Sequence, residues 1–392
     1  MKVDIFKHKE RYLNWKNKFE NSNIEGLTKE NSDLVKRYVF DMENGLNVSV
    51  KSAKGSRSYI RLNNLKQRLI FLSKEFQERM NISYLGDLTE EQIFRYFNEM
   101  RNGEIKRKDG KQYQSVADYV KVFKAFWHWH MKVNKKNGKE IIDITADLDT
   151  SSNKPKWVYL SEEQIKQLCD NAKYEYKILI MFLFDSGIRS PSELANIKVS
   201  DFYNHYKELN VRDEISKTFG RRIKLMICSE IVREYVKTNQ LKPQDFFFNM
   251  SYPVVNRYLQ RLAKKLFGDE ESEAGKKYSK LTLYDFRHCS CCYWLPRYKS
   301  ESALKYRFGW KKSDKIHYYS ELLGMKDTIS EEDLLVDTTK TEIEKRLTET
   351  ENKNTILNDK VDFLETKLSE IGKLTDVLFE QLAQKNKVKL LE

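Results

Sequence analysis

The sequence predicts a mainly α fold with a small β-sheet, arranged as two globular regions followed by a coiled coil. Three observations predict it. Apolar residues recur at helical spacing through much of the first 145 positions. Only Glu208-Leu-Asn-Val211 and Arg222-Ile-Lys-Leu-Met-Ile227, with a turn near Gly220, read as strands. A heptad pattern runs from Ile343 to Leu382.

Residues 1–30 are polar and charged, which suits an N-terminal arm or a short capping helix. Residues 31–145 read as a helical domain. Leu62, Leu65, Leu69, Leu72 and Phe76 recur at spacings of three and four. Thr89-Glu-Glu-Gln92 is a capping box opening a helix that carries Ile93, Tyr96, Phe97 and Met100. Ser115 is expected to cap a third helix, with Val116, Tyr119, Val120, Phe123 and Phe126 inward. His128 and His130 stand two apart and do not share a helix face, so they read as rim and core residues rather than ligands. Residues 146–157 contain a proline and no period and read as a linker.

The second region, 158–335, opens with a capped helix at Ser161-Glu-Glu-Gln164. A helix is expected over about 174–185, another after Pro191, then the strands, then helices again from 228. In the coiled coil, 336–392, the seam is Ile343, Leu347, Thr350, Asn354, Leu357, Val361, Leu364, Leu368, Ile371, Thr375, Leu378 and Leu382. Asn354 falls at an a position, with Leu357, Leu364 and Leu378 at d, a combination that favours a parallel two-stranded coil. The alternative is an amphipathic helix folded back on its own domain.

The formal net charge is +13 and the isoelectric point about 9.2. Residues 336–392 hold 10 Lys/Arg against 12 Asp/Glu, so the surplus belongs to the globular part. Such a surplus favours a polyanion, because neutralised phosphates release counterions. Lys106-Arg107-Lys108 and the stretch 132–139 are candidate phosphate contacts or plain solvated faces. The longest apolar stretch, Ile178–Phe184, is too short for a bilayer, and no leader or membrane association is expected. Five cysteines, an odd number in apolar surroundings, fit a reducing cytosol. Cys289-Ser-Cys291-Cys292 follows His288 but matches no zinc spacing, so neither metal nor cofactor is expected.

Four segments of the second region carry candidate chemistry. Asp185-Ser-Gly-Ile-Arg-Ser-Pro-Ser-Glu-Leu194 places Arg189 after a tight turn at Gly187 and before a helix that Pro191 is expected to start. Leu281-Thr-Leu-Tyr-Asp-Phe-Arg-His-Cys289 sets Tyr284 and Arg287 three apart, on one helical face. Phe308-Gly-Trp-Lys311 and Lys315-Ile-His-Tyr-Tyr-Ser-Glu321 follow.

In order and spacing these boxes resemble the catalytic domain of the tyrosine recombinase (integrase) family. The step from Arg287 to Trp310 is 23 residues and from Trp310 to Tyr319 nine, as that family has them. The resemblance covers residues 160–325 well. It covers the preceding helical region loosely, as a core-binding domain that completes a C-shaped clamp on DNA. The coiled coil lies outside it.

It implies a site-specific recombinase that cleaves and rejoins double-stranded DNA through a 3′-phosphotyrosyl link, without metal or ATP. Arg189 and Arg287 would clamp the scissile phosphate with their guanidinium forks. Trp310 would donate its indole N–H to that phosphate or pack the site. Lys217, in Ser216-Lys-Thr-Phe-Gly-Arg-Arg222, would protonate the leaving 5′-oxygen, or share a phosphate contact with Arg221 and Arg222. Tyr319 is the nucleophile, with Tyr318 its rival. Asp285, His288 and Glu193 would hold the arginines.

Tyr284 departs from the usual histidine or lysine; the Tyr-x-x-Arg form is similar to some archaeal integrases and suggests slower chemistry or a shifted pH optimum. The resemblance also implies a homo-oligomer on DNA in the cytoplasm, associated with the nucleoid. A DNA-binding accessory or repressor protein, a type IB topoisomerase and a coiled-coil scaffold are the competing readings.

Overall fold

The computed structural model describes residues 3–49, 52–152, 154–298, 300–323 and, within 350–375, all but 352, 370, 373 and 374. It divides into two compact units, Asp4–Pro155 and the chain from Lys156 onward together with the first three residues.

The first unit is helical: α1 His8–Phe19, α2 Lys29–Asn44, α3 Tyr59–Met80, α4 Glu90–Asn102 and α5 Val116–Lys136. The apolar stripe of α3 is buried along its whole length, Leu62 to Phe76, and meets the inward faces of α4 and α5. Thr89 and Gln92 make both bonds of the capping box that opens α4. Ser115 stands at the N-cap of α5 but makes no capping bond with its side chain. His130 is buried and stacked on Phe126, while the exposed His128 pairs with Asp143 at 3.0 Å. The stretch read as an arm or a short capping helix contains α1, whose Tyr12 is buried in this core.

The second unit contains α6 Glu162–Asn171, α7 Tyr174–Ser186, β1 Phe202–Tyr203, β2 Glu208–Val211, β3 Arg221–Lys224, α8 Ser229–Thr238, α9 Tyr252–Phe267, α10 Asp285–Arg297, α11 Glu301–Phe308 and α12 Asp314–Leu322. The strands form one antiparallel sheet in the order β1-β2-β3, with Leu209 opposite Ile223. Helix α7, apolar on nearly every face, packs against α10 in the core.

Three expectations need correction. No α-helix follows Pro191: a turn leads to a short 3-10 segment at Leu194–Asn196, because Glu193 is turned back onto the Arg189 backbone. The last strand ends at Lys224, and Met226 beyond it is exposed. Trp157, read as the end of a linker, is buried in the core of the second unit. Of the coiled-coil seam, Ile343, Leu347, Leu378 and Leu382 lie outside the described residues. Among the described residues no helix is long and apolar enough to cross a membrane.

Candidate active site

Helix α7 ends at Gly187, whose φ of +60° is the left-handed conformation a helix C-cap requires. A Cβ there would stand 2.3 Å from the Phe308 ring, so glycine is also needed for the close approach of α11. This turn presents the Gly187 carbonyl to Arg287 and carries Arg189 alongside.

The C-terminal end of α11 organises the site. Its last carbonyls have no partners within the helix and carry the negative end of the helix dipole. Three guanidinium groups meet them in succession. Arg221 donates to the Arg307 carbonyl at 2.8 Å, Arg287 to Phe308 at 2.6 Å, and Arg189 to Gly309 at 2.9 Å. The two arginines predicted from their boxes, 98 residues apart in the chain by their numbers, therefore reach adjacent carbonyls.

Glu193 fixes two of the three. It accepts from Arg189 at 2.7 Å and from Arg221 at 2.8 and 3.1 Å. Burial alone would raise its carboxyl pKa. The bonds and charge of Arg221, with the N–H and charge of Arg189, outweigh that and lower it to about 2. Arg221 was expected at most to touch phosphate; it is fully buried and serves this scaffold instead. Nothing local in the sequence marks that role, since its partners lie 28 and 86 residues away.

Lys217 is exposed in the connection between β2 and β3. Both its neighbours tie that loop to the site: Thr218 donates to the Gly309 carbonyl at 2.8 Å and Ser216 to Glu193 at 3.4 Å.

Tyr319, on α12, is buried in an aromatic box. Trp310 stacks on its ring at 5.8 Å and 11°, and Trp157 meets it edge-on at 6.1 Å. Its hydroxyl is 2.5 Å from His288 Nδ1. Burial and then the neighbouring Cys291 hold the phenol pKa well above the ordinary tyrosine range, against the pull of Arg287. Tyr318 instead accepts a bond from Trp157 Nε1 at 2.7 Å.

Tyr284 stands at the N-cap of α10 and is 43% exposed, whereas Arg287 turns inward and is 4% exposed. The two do not share a face; the Tyr284 ring meets His288 edge-on at 5.2 Å. Asp285 anchors the start of α10, accepting from the Thr282 N–H at 2.7 Å and the Val158 N–H at 3.1 Å. The structure thus gathers Arg189, Arg287, Trp310 and Tyr319 around residues 308–310, with Lys217 and Tyr284 exposed on neighbouring segments.

The cysteines of α10 are all buried, and burial pushes the Cys291 thiol up to about 12. Among the described residues no group of three or more His, Cys, Asp or Glu side chains is placed to hold a metal ion.

Residues 158–324 match the family model of the phage integrases. That stretch, residues 158–324, carries the phage integrase domain. The chain is similar in fold to the Tn1549 transposon integrase solved with transposon right end DNA, at 14% identity over 74% of this chain and 93% of that one, with a TM-score of 0.54. It is similar also to a lambda integrase dimer bound to a COC′ core site, at 15% identity over 76% and 79% and a TM-score of 0.53. The XerH site-specific recombinase bound to palindromic difH substrate gives 14% identity over 80% and 91% and a TM-score of 0.51. No curated protein matches the chain by sequence.

Proposed function

We propose that this protein is a tyrosine recombinase that cuts and rejoins duplex DNA through a covalent link between Tyr319 and a 3′ phosphate. The observation that carries the reading is the convergence of Arg189 and Arg287 on adjacent carbonyls beside the Trp310–Tyr319 stack. A guanidinium has five N–H donors, and bonds to described residues use two on each of these arginines. The remaining donors suit the non-bridging oxygens of a phosphodiester, whose charge grows in the transition state.

The Tyr319 oxygen attacks phosphorus, the O–P bond forms and the bond to the 5′-oxygen breaks. The phenolic proton passes to His288, and Lys217 protonates the departing 5′-oxygen. Reversal of these steps by a new 5′-hydroxyl reseals the strand. Because the phosphotyrosyl link retains the diester's bond energy, the chemistry needs no ATP, and the side chains named here need no metal.

Duplex DNA as the partner is supported by the +13 net charge and by the DNA in the complexes of the similar integrases. Assembly of several protomers on that DNA, with a coiled coil at 336–392, belongs to the same reading. The test is covalent capture: SDS-quenched reactions should hold protein on a 3′ end, and Tyr319→Phe should abolish it.

A further inference from the structure

The helical residues within 350–375 dock on the second unit through one face. Asp359 pairs with Lys177, Lys360 with Glu234 at 2.9 Å, and the Phe363 ring stacks on Tyr174 at 4.9 Å. In the heptad that sets Asn354 at a, Asp359 and Phe363 occupy the outer f and c positions and Lys360 the flanking g position, so none of the three lies in the a/d seam. The seam itself stays open: Leu357, Val361, Leu364, Leu368 and Ile371 are all exposed, Leu368 by 73%. A helix folded back on its own domain would bury that stripe. Here the polar outer face is docked and the apolar face looks outward, which marks an interface.

We propose that the seam takes the same helix of a second copy of this chain, parallel and in register, so that the catalytic units are paired before they meet DNA. The sequence of the seam selects this occupant. Asn354 at a finds its hydrogen-bonding counterpart only across a parallel, in-register dimer. Lys353, Lys360 and Lys367 fill three successive g positions. An antiparallel partner would set these lysines against each other, because g then faces g. A parallel partner sets the g lysines opposite the e positions Asn358, Glu365 and Gly372 instead, none of which is positively charged. The pattern continues in sequence at Leu347, Leu378 and Leu382, which gives the pairing length.

The association needs no DNA, so it is tested apart from the cleavage chemistry. Light scattering on the full chain at micromolar concentration should give twice the 46.8 kDa chain mass. Leu357→Asp combined with Leu364→Asp should return the single-chain mass with the thermal unfolding of the catalytic unit unchanged. In the otherwise native chain, Val361→Cys should oxidise to a covalent dimer, while Thr366→Cys at the outer f position should not. A monomeric parent would overturn the proposal and leave the seam to a helix of another protein. So would a dimer that survives both aspartates, a mass above two chains, or equal cross-linking from both cysteines.

Discussion

His288 Nδ1 and the Tyr319 hydroxyl stand 2.5 Å apart, with the imidazole stacked on Trp157 and the phenol on Trp310. The buried phenol is protonated at neutral pH, since burial raises its pKa, so in the proposed reaction its proton must leave as the bond to phosphorus forms. His288→Gln should slow covalent adduct formation about 100-fold. Because the Tyr319 phenol's pKa is raised, its deprotonation improves as pH rises, and the variant's rate should climb with pH more steeply than the parent's. Filter binding should show DNA affinity unchanged. Equal rates and equal pH slopes would remove His288 from the proton path.

Glu193 links acid stability to the site. Its carboxyl is lowered from 4.5 to about 2, so its contribution is full above pH 4.5 and is lost as pH falls toward 2. That contribution is on the order of 3 kcal/mol. Glu193→Gln leaves Arg221 buried without its charge partner and should destabilise the unit by about 3–5 kcal/mol at neutral pH. Urea unfolding across the acid range should show a shallower further loss in the variant. Parallel curves for parent and variant would contradict the assignment.

Lys217 is tested by the leaving group. Lys217→Ala should slow cleavage of an ordinary phosphodiester by about 100-fold or more. A 5′-bridging phosphorothiolate leaves as a thiolate, which needs no proton, and should restore the variant to near the parent rate. Arg189→Ala should gain no such rescue. Failure of the thiolate substrate to rescue Lys217→Ala would assign the lysine to phosphate binding alone.

Tyr284 is the departure from the usual pattern, and its exposed place at the start of α10 accommodates an imidazole. An ordinary tyrosine titrates near pH ~10 and a histidine near ~6.5, so the latter is the better proton relay at neutral pH. Tyr284→His should cleave at least as fast as the parent in a single-turnover assay. Complete loss on that change would show that the phenol is required.

What was legible in the sequence was local. The α3 stripe, the capping boxes at Thr89 and Ser161, and the β2–β3 pair each follow from residues close together in the chain. The four boxes were legible as segments too, because each ties a candidate side chain to one turn or helix. The scaffold joining them was not. Arg221 looks like one more basic residue in a turn, and only the fold brings it to Glu193 and the end of α11. Trp157 looked like linker because its partners, His288 and Tyr318, are more than a hundred positions away. The helix expected after Pro191 gives way to a turn for a similar reason: Glu193 has its partners on Arg189 and Arg221, and those bonds fix the turn. Two-residue β1 is too short to carry a pattern.

The purified chain, mixed with supercoiled DNA that carries the sequence flanking its own gene and quenched with SDS, gives the most direct measurement. Protein covalently joined to a 3′ end, retained in Tyr318→Phe and lost in Tyr319→Phe, is the predicted result. Adduct that persists in Tyr319→Phe, or clear DNA binding with no adduct from the parent or from Tyr284→His, would contradict it.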